Sequence, residues 1–536
     1  MTLNNDQLNA VVARRPLMVV ATPGSGKTAT VVERIKYNIE DIGIKPSRIL
    51  ALTFTNVAAN EIKARSGYNI QSKTIHSWCY RQLAIEGLKA KVAHPKMFQN
   101  FLDAEKMPEY IDRQEVGDTL RFLRLGLIKV EDIEQEIREI VNSLKKKYEY
   151  SLKKNGLIDF TDMLGIMHNK LKNRSYANKI FSFYDEVIVD EAQDLDKVQL
   201  EIIRYITNNY SNVVFVGDPD QSIYGFLGAM PDMGTTANTF GIPILTLNKT
   251  YRFGEPLGSM SSFIINQTKR SVKNRINCSN NGTKVVFSKL NLDSIKRMGY
   301  KEEDIAILNR SNYHAMNVSH SLDADIMNMP SLKIRKHMAY TMNMVNYATC
   351  RDPESLKGFL LNIKGFGPKT IEKIAESATP EVIKRSFEHG LSKAFGITRK
   401  NLVEALKHVD DDMIELRDGY FVPGFTMFKN TPEYIRNVLD RFEGEKLEYV
   451  RDVMYNKQLM GTSAITVHAA KGMEFPVVYI YSAGNDLEKT VRDFDEEMRI
   501  SYVAMTRAKE LLIINTNSHM YNEYLSEYIQ AKELIT

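Results

Sequence analysis

The sequence predicts an α/β protein with parallel sheets and helices on both faces. Three short apolar runs point to it, each read as a buried strand and each followed by residues that bind or carry charge. Leu17 to Val20 lead into a Gly-rich turn and a helix pattern, Val187 to Val189 end on two acids, and Val213 to Val216 end on Gly217 and Asp218.

The first run belongs to "LMVVATPGSGKTATVVERI". Strand, Gly-rich loop and helix is the context of a phosphate-binding loop. Residues Ala21, Thr22, Pro23, Gly24, Ser25, Gly26, Lys27 and Thr28 are its candidate nucleotide contacts. Gly24 and Gly26 let backbone N–H groups turn toward phosphate oxygens, and the helix N-terminus adds its positive dipole end. Lys27 would reach the β- and γ-phosphates, and the Thr28 hydroxyl would bind Mg²⁺. The strict loop pattern has Gly where this chain has Ala21.

The second run opens "EVIVDEAQD", from Glu186 to Asp194. The carboxyl ends of strands in an open α/β sheet face the ligand. Asp190 would hold Mg²⁺ through water, and Glu191 would orient and polarise an attacking water. The third run opens "NVVFVGDPDQSIYGF". Gln221 can donate and accept, which suits a group sensing the γ-phosphate. Tyr224 and Phe226 lie two apart beyond it, either as core residues or as platforms on which single-stranded bases stack.

The whole chain sets bounds on this reading. Its 536 residues are too many for one core and suggest three or four domains. The net charge of +5 permits a polyanionic partner without demanding one. Cys79, Cys278 and Cys350 are far apart and odd in number, so neither a disulfide framework nor a zinc spacing follows. His76 and His468 have no metal-ligand companion at useful spacing. The polar N-terminus has no signal-peptide pattern, and no apolar run approaches the ~20 residues of a membrane span. A cytoplasmic protein without membrane contact is expected.

Further segments make the order of motifs specific: "LNNDQLNAV", "ATPGSGKT", "LTFTNVAANEIKAR", "TIHSW", "LIDFTDML", "DEAQD", "VGDPDQSIYGFLGA", "LNKTYRF", "ITVHAAKGMEFPVVYI" and "EEMRISYVAMTRA". In this order the sequence resembles the UvrD/Rep family of DNA helicases, over nearly its full length. The resemblance implies two RecA-like P-loop motor domains, each with a mainly helical insertion, and ATP held between them with Mg²⁺. It makes Gln7 the adenine reader, Tyr251 the residue stacking on adenine, and Glu474 a contact to the nucleotide sugar. Arg252 and Arg507 match the family's γ-phosphate arginines, and with Lys27, Glu191 and Gln221 they form the candidate catalytic set. A lone arginine where a helix gives way to a strand would otherwise read as solvated. Phe54, Asn56 and His76 fall in strand-contacting segments, and Tyr224 and Phe226 in the aromatic one. Two departures stand out: Ala29 follows the P-loop Thr where the family commonly has Arg, and Phe226-Leu227 replace Trp-Arg.

The expected motor domains are residues 1–77 with 157–243, and 244–312 with 459–536. The insertions are residues 78–156 and 313–458. The second contains "NIKGFGPKTIEKI", where Gly365 and Gly367 flank Phe366 as in a helix-hairpin-helix turn that grips duplex phosphates. The implied activity is an ATP-driven motor on single-stranded DNA that unwinds duplex. Lys471-Gly472, where motors of opposite polarity usually have Gln-Gly, favours 3′ to 5′ movement. A nucleotide-gated single-strand clamp, or a translocase that displaces proteins with little unwinding, would share every ATPase residue.

Overall fold

The computed structural model describes residues 3–311, 326–328, 462–482 and 494–533, apart from 95–96, 106, 109, 226–227, 230–232, 271, 273–274, 281, 290–291 and 519. The chain divides into two compact units. The first is Met1–Val285 with Leu487–Glu510 and Tyr524–Thr536; the second is Val286–Asp486 with Leu511–Glu523. Among the described residues no helix is long and apolar enough to cross a membrane.

A six-stranded sheet organises the first unit. Its strands are β1 (Leu17–Ala21), β2 (Ile49–Thr53), β3 (Gln71–Thr74), β4 (Glu186–Val189), β5 (Val213–Gly217) and β6 (Ile244–Leu247). They lie in the order β3-β2-β4-β5-β1-β6, and every neighbouring pair is parallel. Successive side chains of a strand point to opposite faces, and here both faces are packed. Met18, Val20, Leu50, Leu52, Val187, Val189, Val213 and Phe215 meet Trp78, Met163 and Leu164 in one core. Leu17, Val19, Ala21, Ile49, Ala51, Ile188, Val214 and Val216 meet Ala10, Val31, Ile35 and Ile62 in the other. Burial on both faces explains why the three runs are apolar throughout and do not alternate.

The helices around this sheet begin with recognisable caps. α1 (Asn5–Val12) has a capping box between Asn4 and Gln7. α2 (Lys27–Glu40) starts from Gly26 in the left-handed region, with no side chain on its first N–H groups. α3 (Asn56–Ser66) and α4 (Ile75–Ile85) are capped by the hydroxyls of Thr55 and Thr74. At the amino end of the sheet the fully buried Glu186 accepts from Arg34 Nε at 2.9 Å and Asn38 Nδ2 at 2.8 Å. Arg34 Nη1 in turn donates to the carbonyls of Ala10, Val11 and Ala13, where α1 ends. A buried carboxylate is tolerated there because both of its oxygens meet donors and its charge faces a guanidinium.

The helices of residues 97–104, 113–125 and 135–154 have a core of their own, around Leu102, Val116, Leu120 and Val141. The lysine run at its end is mostly solvated: Lys145 pairs with Glu149 and Lys147 with Glu105, while Tyr148, next in the chain, is buried.

In the second unit the sheet strands, in chain order, are Lys284–Phe287, Ile305–Asn309, Ile326–Asn328, Thr462–Thr466, Phe475–Ser482 and Ala508–Ile514, the first and last of which begin in residues of the first unit. Ile305–Asn309 is an inner strand, parallel to Thr462–Thr466 on one side and Phe475–Ser482 on the other. Ile295, Ile305, Ile307, Val477, Tyr479, Leu511 and Ile513 cover one face. The fold is therefore α/β, with parallel sheets flanked by helices.

Candidate nucleotide site and strand-facing edge

Because all six strands of the first sheet run parallel, their carboxyl ends share one edge. The P-loop leaves β1 there, Phe54 follows β2, Asp190 and Glu191 follow β4, and Asp218 to Gln221 follow β5. Sequence positions nearly 200 residues apart become neighbours for this reason alone.

The loop itself is tied down by its own polar groups. Thr22 N and Oγ1 both donate to Leu247 O, at 3.0 and 3.1 Å, and Ser25 Oγ donates to Thr22 O at 2.7 Å. Ala21 is the fully buried last residue of β1. Gly24 and Gly26 have φ of 72° and 81°, values that favour glycine. A Cβ on Gly24 would stand 2.5 Å from Arg252 Cβ, so glycine also permits close approach of the Lys249–Gly254 strand. Tyr251 N donates to Gly24 O at 3.0 Å across that contact.

Gln7 is 5% exposed and lies against the loop. Its Nε2 donates to Ser25 O at 2.9 Å, and its Oε1 accepts from Asn4 N at 2.9 Å. Tyr251 is half-exposed, with its hydroxyl accepting from Asn4 Nδ2 at 2.9 Å and Lys249 over its ring. Gln7 and Tyr251 are thus joined through Asn4.

Of the two acids after β4, Asp190 is buried and Glu191 half-buried. Burial, and then repulsion from Glu191, raise the Asp190 carboxyl; Lys27 opposes the shift. Asp190 Oδ1 is buried without a hydrogen-bond partner among the described residues. An orphaned carboxylate oxygen near Lys27, with the Thr28 hydroxyl in the next position of α2, is a hard oxygen donor set that fits Mg²⁺. Glu191 adopts the left-handed region (φ 54°, ψ 43°), which is strained for a side chain of this kind. Its carboxylate accepts from Gln193 Nε2 at 2.7 Å.

Arg507 lies in the two-residue joint between the Phe494–Met505 helix and the Ala508–Ile514 strand. It is 1% exposed, which removes the reading of a solvated helix-end arginine. Its Nη2 donates to Gln221 Oε1 at 2.8 Å and its Nε to Val503 O at 3.0 Å. Burial and then the charge of Arg252 push its guanidinium down to about 9, against the pull of Glu191 and Asp218. Arg252 Nη1 donates to Thr506 O at 2.9 Å. Both arginines belong to the same compact unit as the P-loop. Glu474 belongs to the second unit, exposed in the turn before Phe475–Ser482.

The strand-facing candidates lie on the same edge of the first sheet. Phe54, 40% exposed, stacks on Tyr224 with ring centroids 5.1 Å apart and planes 16° from parallel. Asn56 opens α3 and is exposed. His76, in the first turn of α4, meets Phe160 edge-on at 5.3 Å, and burial pushes its imidazole down to about 4. A neutral ring would meet a phosphate through a hydrogen bond and not an ion pair. Phe226, Gly365 and Gly367, and the departure at Leu227, lie outside the described residues.

Family models match on both sides of this site. The UvrD/REP helicase N-terminal domain matches residues 3–124 and 119–239, and the UvrD-like helicase C-terminal domain matches residues 427–519. The chain belongs to the UvrD/Rep helicase family. A probable DNA helicase II homolog of Mycoplasma capricolum is 27% identical, with 99% of this chain and 87% of that protein aligned. The ATP-dependent DNA helicases PcrA of Staphylococcus epidermidis and Staphylococcus aureus are each 25% identical, over 96% of this chain and 83% of theirs.

Three residues of this UvrD/Rep chain escaped the sequence reading. Gln193 is fully buried; besides its bond to Glu191, its Oε1 accepts from Asp218 N at 2.9 Å. It ties the acidic turn after β4 to the turn after β5, and a Cβ on Gly217 would stand 2.4 Å from that oxygen. Asp220 and Arg270 form a pair at 2.7 Å with both side chains 5% exposed, one position from Gln221. Neither feature has a local spacing by which sequence could reveal it. For the aromatic pair, Phe54→Ala should weaken single-strand binding by about 1–3 kcal/mol, the usual worth of one stacked base. Fluorescence anisotropy with an oligothymidylate measures it, and ATP hydrolysis without DNA should stay unchanged.

Proposed function

We propose that the chain is an ATP-dependent DNA helicase that translocates 3′ to 5′ on single-stranded DNA and opens duplex by ATP-driven closure of its two motor domains. The observation that carries this is Arg507: a fully buried guanidinium that donates to Gln221 in the field of Glu191 and Asp218. Such a charge is costly to bury and finds its use where phosphoryl charge develops.

In this reading Lys27 and the free N–H groups at the start of α2 hold the phosphates. Thr28 would hold Mg²⁺ by its hydroxyl and Asp190 through water, and the ion would supply positive charge beside the phosphates. Glu191 takes up the proton of the attacking water, with Gln193 fixing its carboxylate. Arg252 and Arg507 stabilise the charge spread over the transferred group. Gln221, joined to Arg507 and to Asp218, relays the state of that group to the turn that leads to Tyr224. Lys471-Gly472 supports the 3′ to 5′ direction.

Strand displacement on substrates with a 3′ tail, a 5′ tail and no tail tests the proposal. Opening of the 3′-tailed duplex alone is expected. Opening from the 5′ tail overturns the polarity, and movement on single strands without displacement leaves a clamp or protein-displacing translocase. Lys27→Ala should abolish ATP hydrolysis and leave single-strand affinity close to wild type, as read by a phosphate-release assay beside anisotropy.

A further inference from the structure

β3 closes one side of the first sheet, with β2 as its strand partner. Against it opens a cavity of about 240 Å³ to which α3 contributes Lys63, β3 contributes Lys73 and α4 contributes Arg81, beside the polar groups of Ser47, Asn69 and Gln71. No acid lines it. Glu61 is already engaged by Arg65 at 2.8 Å, Glu86 by Lys170 at 3.6 Å and Asp185 by Arg48. Lys63, Lys73 and Arg81 make no ion pair among the described residues, and the other two cations add to burial in lowering the Lys73 ammonium. Three cations gathered around a hollow without counter-charge repel one another, and an anion in the hollow removes that cost.

The place of the cavity says which anion. α3 and α4 begin with Asn56 and His76 at the strand-facing edge, and Lys63 and Arg81 lie further along the same two helices, about 10 and 8 Å down the side of the sheet toward the amino ends of β2 and β3, where Ser47 and Gln71 stand. We propose that the cavity is a phosphate subsite for single-stranded DNA, taking a backbone phosphate beyond the nucleotides faced by Phe54, Asn56 and His76. This rests on the reading of the chain as a motor on single strands. The same chemistry would accept a free phosphate ion, and lysine on an edge strand can also serve only to keep other strands from pairing there.

The test compares wild type, Lys63→Gln/Arg81→Gln, and the triple variant that adds Lys73→Gln, on fluorescent oligothymidylates of increasing length and at increasing KCl. The double variant leaves β3 intact, and size-exclusion elution with thermal melting checks that both variants are folded and elute like wild type. On long oligonucleotides the triple variant should bind roughly 5-fold or more weakly at low salt, with a salt slope smaller by about 0.7 for each phosphate that the protein no longer neutralises. On oligonucleotides too short to span from Phe54 to the cavity, all three proteins should bind alike. ATP hydrolysis without DNA should be unchanged. Equal affinity and slope at every length overturn the subsite alone, and a wild type that binds no oligonucleotide overturns the motor reading with it. Inorganic phosphate that protects Lys73 from acylation, while the variants bind DNA like wild type, makes the cavity a free-anion site and likewise overturns the proposal.

Discussion

Arg507→Ala should lower kcat for ATP hydrolysis by about 10³- to 10⁵-fold while changing KM for ATP far less. The interaction that matters forms as charge spreads over the transferred phosphoryl group, so its removal falls on the transition state. The fold should survive. Arg507 is buried beside Arg252, and folding pushes its guanidinium down to about 9, so the charged form is disfavoured by the folded state. Removing it takes away that cost, although it leaves Gln221 Oε1 without its 2.8 Å donor. Steady-state kinetics with a melting curve on the same preparation separates the two effects. A rise in KM with kcat unchanged would make Arg507 an ordinary binding residue. Arg507→Lys should recover only part of the rate, since an ammonium cannot reproduce the planar fork.

Glu191→Gln should bind ATP and Mg²⁺ and yet turn over about 10²- to 10⁴-fold more slowly, the usual worth of a positioned general base. An amide has the shape of the carboxylate but cannot accept the proton. The backbone need not change, because Gln has the same side-chain length at φ 54° and keeps an oxygen for Gln193 Nε2. A filter-binding assay with labelled ATP beside a turnover assay checks the split, and undiminished turnover would remove Glu191 from the role.

The sheet and its edge were legible in the sequence because their signals are local. Apolar runs of three or four residues, a Gly-rich turn and acids at a strand end each carry their meaning within about ten positions. Parallel pairing then brings their ends together without further information. What the sequence hid depends on contacts made at a distance. Gln193 drew no role from its place in "DEAQD", although its side chain joins the two acidic turns. Asp220 and Arg270 are separated by 50 positions and share no pattern. Arg507 showed its position between helix and strand, but only burial distinguishes a solvated arginine from one held in the field of Glu191 and Asp218. The Phe54–Tyr224 stack joins two segments whose strands do not pair with one another.

The Glu186 and Arg34 arrangement has a consequence for selectivity. α1 carries Gln7 near its start, and its last carbonyls are gripped by Arg34, which is itself fixed by a carboxylate at the opposite end of the sheet from the P-loop. Were Gln7 to face adenine, as the family resemblance implies, base choice would be held from behind the sheet, by groups at its opposite end. Damage to that anchor would leave the phosphate machinery assembled. It would instead let guanine and pyrimidine triphosphates compete with ATP, so that the motor keeps running on the wrong fuel.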